Sequence, residues 1–374
     1  MPNPTNPNPN SKDRGRFQWR APSNIALIKY WGKKINVNVN VNTDQLPATP
    51  SISFTLENSY TEIDFSYERD ESLSEFSIES MQFFFENSEQ PKFQDKIYKF
   101  LKKVEGEFPF LKKYRLKIKS SNSFPHSAGI ASSASSMAAL ALCLLSLEKV
   151  NNNSTNDEKE FLRRASEIAR SFSGSAARSI YGNFVLWGES EFFPGVSSDH
   201  WAIPLSEHLK IHKNFSQMMD AVLIVDSSVK KVSSSAGHAL MNEHPFKEGR
   251  YQSANKRIGQ LAKVLESGDY DEFIEIVESE ALTLHALMMS SSPYYLLLKP
   301  ESLVLMEKIW EFRRESKIPL CFTIDAGPNI HLIYPAQYYQ RVRDFIELQL
   351  AHYLDKRNWI CDEMGTGPAM IIEK

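Results

Sequence analysis

A serine-rich run with one glycine occupies residues 123–136, which read SFPHSAGIASSASS. The run follows a predicted strand and opens an apolar segment that is typical of a buried helix. A helix N-terminus presents unpaired N–H groups and a partial positive charge, and both favour phosphate. Serine is also a preferred N-cap residue, so the run alone is equally compatible with a capped core helix. It is not a Walker A loop, because the closing Gly-Lys-Ser/Thr is absent.

Two further clusters place a cation among small or apolar residues. In the segment APSNIALIKYWGKK, residues 21–34, Lys29 falls inside an apolar run. Lysine is rarely buried without a partner, so the position implies a carboxylate or an anionic ligand, whereas Lys33 and Lys34 also suit a solvated turn. In SGSAARSIYG, residues 173–182, Arg178 is suited to bind a carboxylate or phosphate with two hydrogen bonds. The alternative for Arg178 is an exposed position at a helix start.

Two other segments offer weaker signals. Asp325 stands in TIDAGPN, residues 323–329, between two apolar segments that we predict to be strands. The Asp could bind a ligand, but Asp-Ala-Gly-Pro is also ordinary turn chemistry. The segment KKVSSSAGH, residues 230–238, suits either an anion pocket or a capped helix start.

Bulk composition narrows the class of protein. The 374 residues are 42% hydrophobic and 24% charged, which is typical of a globular chain large enough for two lobes. The net charge of −3 gives no reason to expect a nucleic-acid partner. Three cysteines in apolar surroundings indicate reduced thiols and a cytoplasmic protein. No stretch is apolar enough for a membrane span or a secretory signal, so we expect no membrane association.

The elements that must position these clusters are strands and helices in irregular order, which favours an α+β class with antiparallel sheets. Periodicity predicts strands at residues 24–30, 61–67, 114–120, 184–187, 221–226, 320–325 and 331–334. It predicts helices at residues 133–147, 161–172, 249–267, 270–289, 301–316 and 337–354. Residues 1–16 are rich in Pro and Asn and are predicted to be a disordered tail. The Asn-Val repeat at 36–44 is predicted to be a surface loop.

Together, the four blocks carry a family likeness. The serine-rich run resembles the Pro-x-x-x-Gly-Leu-x-Ser-Ser motif of the GHMP kinase superfamily. NIALIKYWGKK, FPHSAGIASSAS, SGSAARSIYG and DAGPN, in that order, resemble the diphosphomevalonate decarboxylase family within it. The resemblance implies a GHMP kinase fold with a lobe like domain 2 of ribosomal protein S5 at 17–215. It further implies a ferredoxin-like lobe at 216–374 and a homodimer.

The resemblance also implies an activity, which is the ATP- and Mg²⁺-dependent conversion of mevalonate 5-diphosphate to isopentenyl diphosphate. Asp325 would then contact the 3-hydroxyl as a base or orienting group, Lys29 would partner Asp325, and Arg178 would hold the substrate carboxylate. The other substrate positions implied are Tyr30, Lys33, Ser175 and Ser234. The ATP phosphate positions implied are Ser127, Gly129, Ala131, Ser132 and Ser133, with Ser133 also a Mg²⁺ ligand.

Some positions depart from the family pattern, and alternative functions stay open. Ser235 stands where some bacterial members have Arg, His238 stands where Met is usual, and the Asn-Val segment lengthens a loop. The nearest alternatives are a sibling small-molecule kinase and a decarboxylase of the monophosphate. A catalytically inactive binding homologue is a third alternative, but it is disfavoured because Asp325, Lys29 and Arg178 are all present.

Overall fold

The computed structural model describes residues 12–34, 45–125, 130–152, 157–228 and 234–373. Within them, two β-sheets are covered by helices, which confirms the α+β class predicted from the sequence. The strands are β1 (Arg14–Ile28), β2 (Ser51–Arg69), β3 (Met81–Phe85), β4 (Ser88–Glu89), β5 (Tyr114–Asn122), β6 (Phe184–Trp187), β7 (Ala202–Pro204), β8 (Met218–Leu223), β9 (Cys321–Ile324), β10 (Ile330–Pro335), β11 (Trp359–Glu363) and β12 (Ala369–Glu373). The helices are α1 (Pro91–Val104), α2 (Ser132–Asn152), α3 (Glu158–Phe172), α4 (Ser234–Ala239), α5 (Lys247–Ser267), α6 (Tyr270–Met289), α7 (Pro300–Ser316) and α8 (Tyr339–Phe345).

The first sheet is built around the long strand β2, which pairs with β1, β5 and β6. The main order is β12-β1-β2-β5-β3-β4, while β6 pairs with β2 and β7 pairs with β6. Only β3 and β5 are parallel among the described strands, and α1 lies in the connection between them. In β5 the side chains alternate between buried and exposed, as in a sheet with one face on a core.

Helix α2 fills the core against this sheet. It is apolar nearly all round, which is the pattern of a fully buried helix. Its Ser146 Oγ accepts a 2.9 Å hydrogen bond from the indole N–H of Trp19 in β1. By length and composition α2 is also the one described helix that could cross a membrane, but 72% of its most apolar stretch is buried inside the molecule.

The second sheet is antiparallel throughout, in the order β11-β8-β10-β9. One of its faces packs against α7 and α8, and side chains from β8, β10, α5 and α6 join the inner half of β1 in a second core. Helix α5 ends at Gly268, whose φ of +83° is left-handed, and Asp269 then caps α6 by accepting from the N–H groups of Asp271 and Glu272. Two long helices are thus set side by side at the junction of the lobes.

Strand β1 connects the two halves of the molecule. Its outer end pairs with β12, so the C-terminal strand returns to the first sheet. Its inner end, at Ile28, reaches the second lobe, where Thr323 of β9 donates a 3.2 Å hydrogen bond to the carbonyl of Ala26. The division of lobes at residue 215 stays a prediction, although β12 crosses it.

The structure corrects two of the predictions. The tail predicted at 1–16 is too long, because Arg14 to Arg16 already pair with β2 opposite Glu68 to Ser66; residues 1–11 lie outside the described residues. The helix predicted at 337–354 is broken: α8 is followed by a wider turn at Ile346–Leu350 and a tight turn at Ala351–Tyr353. The loop predicted at 36–44 also lies outside the described residues.

Candidate active site

A cavity of about 410 Å³ opens where the end of β1, the start of α2, the start of α4 and the turn after β9 meet. Every predicted site residue within the described part of the chain lines this cavity, although these residues are up to about 300 positions apart in sequence. They are Lys29, Tyr30, Lys33, Ala131, Ser132, Ser133, Ser175, Arg178, Ser234 and Asp325. Ser127 and Gly129 lie outside the described residues. The four sequence blocks therefore converge on one site, while the role of each residue stays a prediction.

Lys29 and Asp325 form an ion pair at the floor of the cavity. Lys29 Nζ lies 2.7 Å from Asp325 Oδ1; the lysine side chain is 2% exposed and the aspartate is 31% exposed. Burial lowers the pKa of Lys29 below the ordinary lysine value, although the Asp325 carboxylate acts in the opposite direction. The arrangement leaves the carboxylate accessible to a ligand while the ammonium group is enclosed.

Arg178 is a buried cation whose contacts in the described structure are neutral. Its Nε donates to Asn24 Oδ1 at 3.2 Å, and its Nη1 donates to Ser51 Oγ. Asn24 is itself held by hydrogen bonds to the carbonyl of Ser175 and to Ser179 Oγ. Burial lowers the pKa of Arg178 to about 10, so the guanidinium is charged at neutral pH. No carboxylate among the described residues lies within ion-pair distance, so the site presents a fixed positive charge to a ligand.

Aromatic and basic side chains form the wall next to Lys29. The ring of Tyr30 packs against Trp187 and His238, at centroid distances of 4.7 and 4.3 Å. His238 Nδ1 accepts a 3.0 Å hydrogen bond from the N–H of Gly32, and burial lowers the pKa of His238 to about 3. The His238 imidazole is therefore neutral at physiological pH, and because Nδ1 accepts a hydrogen bond, its proton is on Nε2. Burial also lowers the pKa of the neighbouring Lys33.

Gly32 allows the chain to turn between Tyr30 and Lys33. Its φ of +101° is disfavoured for residues with a side chain, and a Cβ there would lie 2.5 Å from the hydroxyl oxygen of Tyr251. This turn places two residues of one block on the same cavity wall.

The start of α2 forms the opposite wall. Ser132 and Ser133 line the cavity in the first turn of the helix, after Ala131, which has a left-handed φ of +36°. The preceding residue is anchored because Ser23 Oγ donates a 2.7 Å hydrogen bond to the carbonyl of Ile130. A strained residue before a helix N-terminus is a feature that often marks functional loops. The geometry fits the predicted phosphate site.

A smaller cavity of about 180 Å³ adjoins this wall. It is mostly apolar, and Phe83, Phe85 and Phe93 line it together with residues that also line the main cavity. The shared residues are Lys96, Ser132, Ser133 and Met137. An apolar pocket next to the predicted phosphate site is suited to a purine base.

Sequence reasoning missed several residues of the site. Lys96 was missed because α1 was not predicted, although Pro91 and the spacing of Phe93, Ile97 and Phe100 are typical of a helix start and an apolar face. Asn24 is a buried polar residue directly before the apolar end of β1, which is a signal for a buried contact.

Two further side chains that the sequence did not single out touch the backbone on either side of the ion pair. Glu280 Oε2 accepts a 2.9 Å hydrogen bond from the N–H of Lys29, and His285 Nε2 lies 3.1 Å from the carbonyl of Asp325. Both stand on the apolar helix α6, where polar residues at buried positions indicate a specific partner.

The cavity is strongly cationic. Among the described residues, four basic side chains line it, namely Lys29, Lys33, Lys96 and Arg178, against one carboxylate, that of Asp325. The described residues contain no cluster of three or more His, Cys, Asp or Glu that could hold a metal ion. A Mg²⁺ ion here would therefore be bound largely by ligand phosphates, with serine hydroxyls of α2 as protein partners, which fits its usual coordination in nucleotide sites.

Both halves of the chain match family models of known proteins. Residues 21–199 match the family model of the diphosphomevalonate decarboxylase-like N-terminal domain. Residues 221–368 match that of the mevalonate 5-diphosphate decarboxylase C-terminal domain. The segment between the two matches, from residue 199 to residue 221, contains the predicted lobe division at 215.

Individual relatives are similar over most of their length. A diphosphomevalonate decarboxylase from Eremothecium gossypii is 30% identical over 339 residues, covering 87% of this chain and 79% of that protein. The crystal structure of mevalonate diphosphate decarboxylase from Staphylococcus aureus superposes with a TM-score of 0.78 at 29% identity, covering 96% and 98% of the two chains. A structure of MDDEF in complex with MVAPP, AMPPCP and magnesium superposes with a TM-score of 0.75 at 28% identity, covering 96% and 99%.

These matches extend over both lobes and include all four sequence blocks. They confirm the resemblance, the fold and the decarboxylase activity that the sequence predicts. Because the two family models together match most of its length, the chain belongs to the diphosphomevalonate decarboxylase family.

Proposed function

We propose that this chain catalyses the ATP-dependent decarboxylation of mevalonate 5-diphosphate to isopentenyl diphosphate, with release of CO₂, ADP and phosphate. The observation that carries the proposal is Arg178, a buried guanidinium without a carboxylate partner among the described residues, in the same cavity as the Lys29–Asp325 pair. A buried charge is costly unless it is compensated, so the site is built for an anion that arrives with the substrate.

The substrate carries two anionic ends, and the cavity offers a place for each. We assign its carboxylate to Arg178, because guanidinium binds carboxylate with two hydrogen bonds. We assign its diphosphate to the wall with Lys33, Tyr30 and Ser234, where the charge of Lys33 has no carboxylate partner among the described residues. Ser175, which lies beside Arg178, completes the set.

Asp325 serves the first step. In our proposal its carboxylate accepts the proton of the 3-hydroxyl while that oxygen forms a bond to the γ-phosphorus of ATP. The bond between the γ-phosphorus and the bridging oxygen breaks, and its electrons leave with ADP. Lys29, 2.7 Å from Asp325, holds the carboxylate in place and keeps it ionised for this transfer.

The new phosphate ester makes the second step feasible. A tertiary hydroxyl is a poor leaving group, but a phosphate is a good one. When the C3–O bond breaks, its electrons leave with the phosphate, and C3 becomes electron-poor. The bond between the carboxylate carbon and C2 then breaks, its electrons form the C2–C3 double bond, and CO₂ departs. Arg178 orients the carboxylate for this loss, and Lys29 stabilises the negative charge on the departing phosphate.

ATP would lie along the wall that joins the two cavities. Its base fits the apolar pocket of Phe83, Phe85 and Phe93, and its phosphates fit the start of α2 at Ser132 and Ser133. Lys96, which lines both cavities, is placed to contact the phosphate chain. A bound Mg²⁺ would offset phosphate charge, with Ser133 as its candidate protein ligand.

We further propose that the protein acts in the cytoplasm as a homodimer. Three free cysteines, two of them buried, fit a reducing compartment. The proposal of a dimer rests on the family likeness alone, and the mass of the protein in solution tests it.

A substrate panel tests the proposed reaction. ADP release is followed with mevalonate and its 5-mono- and 5-diphosphates, while CO₂ is trapped from the same samples. We expect one CO₂ per ADP, with the highest kcat/KM for the diphosphate. ADP without CO₂ would indicate a kinase, and a preference for the monophosphate would reassign the substrate.

A further inference from the structure

The backbone of Lys29 lies where the sheet can no longer satisfy it. The last β1–β2 pair is Ile28 with Ile52, so the N–H and carbonyl of Lys29 need other partners. Glu280 Oε2 accepts from the N–H at 2.9 Å, and Arg250 Nη2 donates to the carbonyl at 2.8 Å. Side chains of α5 and α6 therefore hold the peptide groups on both sides of the lysine.

Glu280 and Arg250 also form an ion pair with each other through two hydrogen bonds. Two guanidinium nitrogens of Arg250 lie 2.7 and 2.9 Å from the two carboxylate oxygens of Glu280, and the side chains are 1% and 0% exposed. Arg257 also donates to Glu280, and to Ser279 Oγ at 2.6 Å. A buried ion pair adds little to the stability of the fold, because the cost of desolvating both charges offsets their attraction. The role that we assign to this pair is therefore to fix the position of the Lys29 backbone.

The same helix also holds Asp325. His285, less than two turns after Glu280, is 3% exposed, and its Nε2 lies 3.1 Å from the Asp325 carbonyl. Burial lowers the pKa of His285 to about 4, so the imidazole is neutral and donates its single proton to that carbonyl. Both contacts of α6 are to backbone groups, so the helix restrains the main chain of Lys29 and Asp325 without using their side chains.

We infer that α6 sets the separation of the catalytic pair, with Glu280 and Arg250 as positioning residues for Lys29 and His285 as the positioning residue for Asp325. The inference rests on the proposed function of the Lys29–Asp325 pair. A carboxylate–lysine contact works only within hydrogen-bond reach, and small displacements are costly in rate. The helix carries both restraints on one rigid element, so lobe movements do not separate the pair.

Glu280 has a second effect, which gives the inference a distinctive readout. Five charged or titratable groups surround Lys29: Asp325 after β9, Glu280 and His285 on α6, Arg250 on α5, and Arg178. The charge of Glu280 raises the pKa of Lys29, against the larger lowering by burial. Removal of that charge should therefore make Lys29 lose its proton at lower pH.

The test compares Glu280→Gln with Glu278→Gln. Glu278 is a matched control, because it is a buried carboxylate on the same helix, paired with Arg313 and Trp310 and without contact to the catalytic pair. We expect Glu280→Gln to lower kcat by about 10–100-fold at similar KM, and to shift the alkaline limb of the kcat profile to lower pH. Glu278→Gln should leave that limb in place. Equal effects of the two variants on kcat and no shift of the limb would overturn the inference.

A second pair of variants keeps the inference testable if Glu280→Gln does not fold. His285→Leu removes the donor to Asp325, whereas His285→Gln retains an N–H group. We expect the Leu variant to lose kcat by about 10-fold or more and the Gln variant to recover most of it. Equal activities of the two variants would contradict the role of His285. Because ADP release reports these effects whether or not CO₂ forms, a wild type that releases no CO₂ would refute only the proposed reaction.

Discussion

At the scale of single residues, the site is organised by charges that are buried before a ligand arrives. Arg178 has lost most of its hydration, and its hydrogen-bond partners Asn24 and Ser51 are neutral, while the Asp325 carboxylate acts on its charge only from beyond ion-pair distance. Such a position reduces the stability of the ligand-free protein, because desolvation is not balanced by an ion pair. This loss of stability is consistent with a functional role for Arg178.

Because burying Arg178 costs stability but serves binding, Arg178→Gln should lose activity without losing thermal stability. The variant should lose about 3 kcal/mol of transition-state stabilisation, roughly 10²-fold in kcat/KM, since charge-assisted bonds to the carboxylate are lost. Its Tm without ligand should be equal to or above that of the wild type. Steady-state kinetics and calorimetry check both parts. An unchanged kcat/KM would contradict the assignment of Arg178 to the carboxylate.

His238 gives a prediction about pH. Because its pKa is about 3, the charge of His238 does not change between pH 5 and 8. The shape of the kcat/KM profile in that range should therefore be the same for the wild type and for His238→Met, even if the absolute values differ. A limb near pH 6 that disappears in the Met variant would show that His238 is protonated in the working enzyme.

At this scale the sequence predicted the site residues that lie inside motifs, but not the residues that hold them in place. Lys29 and Arg178 stood out because charged residues in small or apolar blocks are unusual, whereas Asp325 was a weak signal that gained its role from the family resemblance. Glu280 and His285 belong to no such block, and their partners are backbone atoms more than 30 positions away. Contacts of that kind depend on how helices pack, which periodicity does not determine.

At the scale of elements, strongly periodic segments were predictable. Helix α6 begins and ends at the residues that its pattern indicates, and β6 does as well. Helix α1 and the short strands β3, β4, β7, β11 and β12 were not predicted. The short strands were missed because two to five residues carry too little pattern, and most of them are stabilised by pairing with strands distant in sequence. The long helix predicted at 337–354 fails because its apolar spacing continues through wider and tighter turns.

Strand β11 carries a buried carboxylate that links the sheets. Asp362 Oδ1 accepts 2.8 Å hydrogen bonds from the N–H groups of Asn58 and Glu363, and its register partner in β8 is the buried Asp220. Burial raises the pKa of Asp362, helped by the charge of Asp220 and opposed by these hydrogen bonds. The two aspartates face each other across the strands, where like charges are unfavourable.

This arrangement predicts a pH dependence of stability. Below an unfolded pKa of about 3.9, Asp362 is protonated in both states. Between that value and the raised folded pKa, the folded state retains a proton that the unfolded state has lost, so stability falls as pH rises. Asp362→Asn should flatten the free energy of unfolding in this window, whereas Asp344→Asn, an exposed control, should not. Denaturant titrations across pH measure both, and identical slopes in the wild type and Asp362→Asn would be contrary to expectation.

At the scale of the whole molecule, function depends on two lobes meeting at one cavity. Strand β1 runs through both cores, β12 returns to the first sheet, and α6 contacts the end of β1 and the turn after β9. The lobes are therefore joined around the site by several independent connections. Length predicted two lobes and the irregular order of predicted strands and helices predicted an α+β chain, but only the folded arrangement shows four basic side chains of the mildly acidic protein concentrated in one cavity.

The Asp325→Ala variant gives the decisive comparison, with ATP, Mg²⁺ and mevalonate 5-diphosphate. Calorimetry should show nearly unchanged affinities for both ligands, because Arg178, Lys33 and the start of α2 are intact. Formation of ADP and CO₂ should fall together, by about 10²–10⁴-fold, since proton removal by a positioned carboxylate is lost. Near-normal release of ADP and CO₂ by Asp325→Ala would contradict the proposed chemistry of the Lys29–Asp325 pair.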